Sequence, residues 1–149
     1  MTALTTADRQ EISDLFARYA WAFDLMDYEA FVACFTEDAI YEMADTGPRY
    51  TGHAGVRSYL DHRKLEPEFP LRRQHFVGQT LVEGSDRECT ARSYGFITSR
   101  NPDEIVMRSI GYYVDRLVKG PSGWRFASRI FYRWSDENVK ALEGKAARP

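Results

Sequence analysis

Arg18-Tyr19-Ala20-Trp21-Ala22-Phe23-Asp24-Leu25-Met26 ends the first helical segment of the chain with one carboxylate among apolar side chains, and the architecture follows from that stretch. Ile12, Leu15, Phe16, Tyr19, Phe23 and Met26 recur at helical spacing, so one stripe of the helix faces a core. Ala20, Trp21, Ala22 and Leu25 make the remaining surface of its last turns apolar too, which predicts a helix end sunk into the protein. A carboxylate there meets the negative end of the helix dipole and loses hydration, so it needs a partner or a task. The alternative is an edge position: at about 100° per residue, Asp24 lies roughly 120° from the stripe's centre and would look into solvent.

A chain of 149 residues suits one domain with a real core and room for a cavity. Its net charge of -2 lacks the basic excess that nucleic acid or an anionic membrane requires, so neither is an expected partner. Cys34 and Cys89 have neither CxxC spacing nor a disulfide framework and read as structural thiols of a reducing compartment. Met1 to Thr6 shows no basic segment followed by an apolar run, and no stretch reaches membrane-spanning length. A cytoplasmic location is expected.

Outward from the quoted stretch, Thr6 is a candidate N-cap for the first helix, which runs to about Met26. Asp27 caps a second, short helix through Phe35. Ala39 to Met43 and Arg49 to Thr51 read as a hairpin around Asp45-Thr46-Gly47-Pro48, and a third helix follows from Val56 to about Arg63, ending before Pro67 and Pro70. From there the character changes to four long strands, Leu71 to Glu83, Arg87 to Ser99, Glu104 to Lys119 and Trp124 to Trp134. Their turns make an antiparallel meander, and Gly78, Gly95 and Gly111 lie where bulges or bends would curve it over the helices. Ser135 to Pro149 is charged and weakly periodic, and reads as a loose tail or an arm on a neighbouring subunit.

His75 is the second residue of chemical interest. It shares a strand face with Val77 and Leu81, which points it to the covered side of the sheet, where the first helix must also lie. A histidine in that position is either a packing residue or the partner of Asp24. A carboxylate bonded to one imidazole nitrogen fixes the tautomer and leaves the other nitrogen to take a proton, which is the design of a general base. Tyr19 and Tyr41 lie on core-facing elements and are candidates for hydrogen bonding to an oxygen inside the cavity, or for packing alone. The sequence holds no Gly-rich phosphate loop, HExxH, GxSxG or carboxylate cluster with metal spacing, so no cofactor and no metal is expected.

Ile12-Ser13-Asp14-Leu15-Phe16-Ala17-Arg18-Tyr19 through Phe23-Asp24, then Phe31 to Tyr41, resembles the SnoaL-like branch of the nuclear-transport-factor-2-like superfamily. Gly52-His53-Ala54-Gly55-Val56, Gln74-His75-Phe76 and Gly123-Trp124-Arg125-Phe126 extend the match. The resemblance implies an α+β fold, a cone-shaped curved mixed or antiparallel sheet with three N-terminal-half helices on its concave side. It gives one domain over residues 1–134 and a tail over 135–149. Asp24 and His75 look like the Asp-His dyad of scytalone dehydratase, the bile-acid dehydratases and hexachlorocyclohexane dehydrochlorinase. Tyr19 resembles the tyrosine of the bile-acid dehydratases, and Arg129 falls where the dehydrochlorinase type carries an arginine near the leaving anion. The implied function is a cofactor-independent lyase or isomerase, foremost a dehydratase, acting on a small apolar cyclic substrate, in a homodimer or homotrimer. The alternative is a non-catalytic small subunit of a ring-hydroxylating dioxygenase, or a small-molecule binding module.

Overall fold

The computed structural model describes residues 2–66, 72–146 and 148–149. Helix α1 spans Thr6–Asp24 and is capped by Thr5, one residue earlier than expected, through a reciprocal capping box with Asp8. Asp8 also accepts from Lys119 Nζ at 2.7 Å and Trp124 Nε1 at 3.1 Å, which pins the start of α1 to the sheet. Ile12, Leu15, Phe16, Tyr19, Ala22 and Phe23 are buried, as the helical period requires. The end of the helix is not sunk on every side: Trp21 is 69% exposed and Leu25 56%. α1 covers the sheet with one stripe, and the opposite apolar face is left outside.

Helix α2, Tyr28–Ala33, is capped by Asp27 at the Ala30 N–H, 3.0 Å away. It stops earlier than its apolar spacing suggests because Phe35 already belongs to strand β1, Phe35–Met43, where it pairs with Phe126. Strand β2, Arg49–Thr51, and helix α3, Gly52–Lys64, follow. The long strands are β3 (Arg73–Gly84), β4 (Glu88–Arg100), β5 (Ile105–Gly120) and β6 (Gly123–Arg133), all close to their expected bounds. Pro67, Pro70 and Leu71, expected to mark the end of α3 and the start of β3, lie outside the described residues.

The six strands form one mixed α+β sheet in the order β2-β1-β6-β5-β4-β3. β3 to β6 are the expected antiparallel meander, but β1 and β6 pair in parallel. The chain crosses to the far edge through α3 and works back strand by strand, so β6 reaches β1 running in the same direction. The curved sheet stays open, with α1 packed on β3 and β6 and α3 on β1. Gly78 does sit at a register shift, beside Gln79 with φ 48°. Gly95 and Gly111 do not; they face each other across β4 and β5 and permit close approach. A Cβ at Gly95 would meet the Tyr113 ring at 2.4 Å, and one at Gly111 the Tyr132 carbonyl oxygen at 2.1 Å.

The chain beyond Trp134 is tied down rather than loose. Helix α4, Asp136–Lys140, carries Asn138, whose side chain donates to Asp45 at 2.9 Å and whose carbonyl accepts from Tyr112 at 3.1 Å. Arg92 reaches the carbonyl oxygens of Lys145 and Ala146. No helix among the described residues is long and apolar enough to cross a membrane.

Candidate functional site

Alternation along β3 places Arg73, His75 and Val77 on the inner face, while Phe76 points out. The last turn of α1 presents Asp24 to that strand. Its carboxylate lies 2.6 Å from His75 Nδ1, and both of its oxygens also accept from the His75 backbone N–H, at 3.1 and 3.0 Å. The helix-end carboxylate thus has its partner. Because an ionised carboxylate only accepts, the hydrogen is assigned to Nδ1, and Nε2 is left as the nitrogen that can take a proton. Phe23 stacks on the imidazole with ring centroids 4.0 Å apart, which fixes the ring plane. The His75 side chain is 2% exposed and that of Asp24 17%. Burial pushes the imidazole below its ordinary value of 6.5, and the bond and charge of Asp24 pull it part of the way back.

His75 lies on the wall of a cavity of about 630 Å³. Phe23, Tyr59, Ile97 and Phe131 supply apolar wall, whereas Arg63, Arg73, Arg108 and Arg133 bring four guanidinium groups, with Glu66 and Asp45 as the acids among them. Asp24 does not reach this cavity. It stands behind the imidazole, in an outer groove shared with Trp21, Leu25 and Phe76. His75 borders both this cavity and the outer groove, so the imidazole stands between the two hollows with Asp24 on the outer side.

The other three expected site residues are elsewhere. Tyr19 and Tyr41 bond to each other at 2.8 Å, are buried, and are not among the residues lining the cavity. Arg129 is fully buried in an ion pair with Asp115 at 2.7 Å, its guanidinium carbon 3.7 Å from the Tyr113 ring centroid and 4.2 Å from that of Tyr19. These residues fill the cone instead of lining its opening. Their place on the wall falls to Tyr59 of α3, whose ring lies 4.6 Å from that of Tyr41, and to the four arginines. The strand period could have found Arg73, two residues before His75, and Arg133, two residues after Phe131; nothing local marks Arg108. No group of three His, Cys, Asp or Glu side chains suited to a metal ion occurs among the described residues.

A family model described as a SnoaL-like domain matches residues 5–130. The chain belongs to the SnoaL-like family. Solved structures agree with that membership. An NTF2-like protein with a cystatin-like fold from Novosphingobium aromaticivorans is 25% identical, over 91% of this SnoaL-like chain and 89% of that one, with a TM-score of 0.79. A protein of unknown function from Mycobacterium tuberculosis is 27% identical over 94% and 92%, with a TM-score of 0.78. A provisionally named scytalone dehydratase from Novosphingobium aromaticivorans, 21% identical over 87% and 85% with a TM-score of 0.73, shares the fold. No curated protein matches the chain.

Proposed function

We propose that this SnoaL-like protein is a cofactor-independent lyase or isomerase of the dehydratase type, with His75 as general base and Asp24 as its positioning carboxylate. The observation that carries the reading is the 2.6 Å contact between Asp24 and His75 Nδ1, made where the imidazole lines a cavity. In the proposed step Nε2 takes the proton from a carbon next to a carbonyl, and the C–H electron pair moves into the enolate. The enolate then forms the C=C bond as the β-hydroxyl leaves, and the imidazolium returns its proton to that oxygen to give water. Without a β-leaving group the same proton returned elsewhere gives isomerisation. Asp24 stabilises the transient imidazolium. Tyr59, on the cavity wall, takes the hydrogen-bonding role expected of Tyr19 and Tyr41, which stand behind it.

The reading is tested by proton exchange. Cyclic ketones in deuterated water should acquire deuterium next to the carbonyl faster with the protein than without it, followed by NMR. His75→Gln should remove the acceleration, which general-base catalysis sets at about 10² to 10⁴. Equal exchange by wild type and His75→Gln would end the reading. The scaffold alternative gives the dyad no task, and a stable complex with a larger iron-containing protein would favour it. The outer sheet face, where Phe76 stacks on Phe96 at 4.7 Å and Tyr94 and Trp134 are exposed, is the proposed contact of a cytoplasmic homodimer or homotrimer.

A further inference from the structure

The cavity wall presents a phenol with a guanidinium beside it. Tyr59 sits in the middle of α3, 3% exposed, and neighbouring rings hold it in place: Tyr41 at 4.6 Å, Tyr50 at 5.2 Å and Phe23 at 5.6 Å between centroids. Phe23 is the ring that stacks on His75, so the imidazole and the phenol both touch it and border one cavity. A ring fixed in this way loses little rotamer freedom when it meets a guest.

Arg63 follows one helical turn later, and residues four apart on a helix are neighbours on its surface. Its guanidinium carbon lies 4.9 Å from the Tyr59 ring centroid. Burial pushes the Tyr59 hydroxyl up from its ordinary value of 10.0, and the charge of Arg63, with hydrogen bonds to Tyr41 and Arg63, pulls it part of the way back. A guanidinium only donates, so Arg63 takes a lone pair of the Tyr59 oxygen and leaves the O–H for an acceptor. Arg63 is itself held, because Glu66, three residues on, pairs with it and with Arg73 of β3 at 3.4 Å. The half-buried cation is anchored to a carboxylate on one side and set against a wall phenol on the other.

We propose that Arg63 is a positioning residue for Tyr59, and that it makes the Tyr59 O–H the donor to the enolate oxygen formed when His75 removes the neighbouring proton. Tyr59 keeps its own proton throughout. Its hydrogen bond strengthens as charge gathers on the enolate oxygen, and the Arg63 charge favours that electron-rich arrangement. This rests on the reading that the cavity bordered by His75 is the substrate site, but binding of an oxyanion there needs no proton transfer. The favoured guest is a ring carrying an oxygen with partial or full negative charge, and a phenolate is a stable equivalent of a cyclic enolate.

The probe is 2-naphthol, whose naphtholate absorbs beyond the tyrosine and tryptophan bands, titrated by absorbance with protein in excess. The parent for the titration is His75→Gln, in which no imidazole can take the naphthol proton. Arg63→Gln should raise the pH at which bound naphthol ionises by about one unit, a tenfold change, because a nearby positive charge is lost. Glu66→Gln should lower it, because the carboxylate that opposes Arg63 is lost, whereas mere loosening of the wall would move both variants the same way. Tyr59→Phe should raise it, and Arg63→Gln should add less in Tyr59→Phe than in the parent, since the route through the hydroxyl is gone. Arg73, Arg108, Arg133 and Asp45 on the same wall are common to every protein compared. If Arg63→Gln does not fold, the opposite signs of Glu66→Gln and Tyr59→Phe decide. No binding of 2-naphthol, an unchanged ionisation in Arg63→Gln, a rise in Glu66→Gln, or an undiminished Arg63 effect without the Tyr59 hydroxyl would overturn the proposal. Deuterium exchange tests the general base separately: acceleration lost in His75→Gln, with naphthol ionisation unmoved by Arg63→Gln, would end the Arg63 assignment alone.

Discussion

Two carboxylate-to-base pairs lie inside the same cone and differ in almost everything but distance. Asp24 meets His75 at 2.6 Å and Asp115 meets Arg129 at 2.7 Å. The first joins a helix end to a strand beside a cavity, with both carboxylate oxygens satisfied by His75. The second joins β5 to β6 with no exposure at all, ringed by Phe16, Tyr19, Tyr113 and Phe126. Burial pushes the Asp115 carboxyl up and the paired Arg129 guanidinium limits the rise, while Asp115 Oδ1 and Arg129 Nε and Nη2 have no hydrogen-bond partner among the described residues. A guanidinium never gives up its proton and, sealed among rings, has nothing to give it to; an imidazole on a cavity wall has both the ionisation and the access. A buried charge pair is therefore not by itself the mark of a site. The mark is a pair that includes a proton-exchanging imidazole and has open space beside it.

The comparison breaks most visibly if the two pairs respond alike to mutation. His75→Gln is expected to lower proton-exchange or elimination rates by about 10² to 10⁴ while the protein stays folded. Circular dichroism and a thermal melt alongside the kinetics separate the two outcomes. Arg129→Met should do the reverse, lowering stability by about 3 to 5 kcal/mol because it strands the Asp115 carboxylate in the core. Urea unfolding measures this, and a loss below about 1 kcal/mol would show that the sealed pair is not what holds β5 to β6. A smaller effect belongs to the tyrosines behind Tyr59. Tyr41→Phe removes the 2.8 Å bond and leaves the buried Tyr19 hydroxyl with Tyr113 as its partner, at a cost of about 0.5 to 1.5 kcal/mol in stability with exchange rates little changed. A large kinetic loss at unchanged stability would move Tyr41 from the packing set to the site.

The same contrast explains which parts were legible in the residues. Helical spacing located the buried face of α1, and strand alternation placed His75 inward, because both are local periods. Asp24 was conspicuous as a charge in an apolar stretch, and its partner could be inferred because few inner positions offered one. Tyr19, Tyr41 and Arg129 were also inner positions, but periodicity says only that a residue points inward, not whether it plugs the cone or fronts its opening. That distinction is made by the parallel β1–β6 pairing and by Gly95 and Gly111, which let Tyr113 and the neighbouring strand come close. Both depend on contacts distant in sequence. Arg108 was hidden for a different reason: the bulge at Ile97 and Thr98 breaks the rule used to read the strand. Trp21 and Leu25 misled because an apolar residue implies burial less reliably than a polar one implies exposure.

The smallest effect separates the pairs by their protons. Burial holds the His75 imidazole below 6.5, so between its folded value and 6.5 the unfolded chain binds more protons than the folded one. Stability contributed by this site accordingly rises with pH across that window and is lost as pH falls through it. The acid limb of kcat/KM should descend in the same interval, because protonated Nε2 cannot act as a base. Asp24 opposes the burial by favouring the imidazolium, so Asp24→Asn should move the His75 titration, followed by NMR, to lower pH still. The acid limb should move with it, and the stability slope should extend further into acid. A His75 titration that shifts upward in Asp24→Asn would show that the carboxylate does not support the cation, and the wall pair would then be as purely structural as the sealed one.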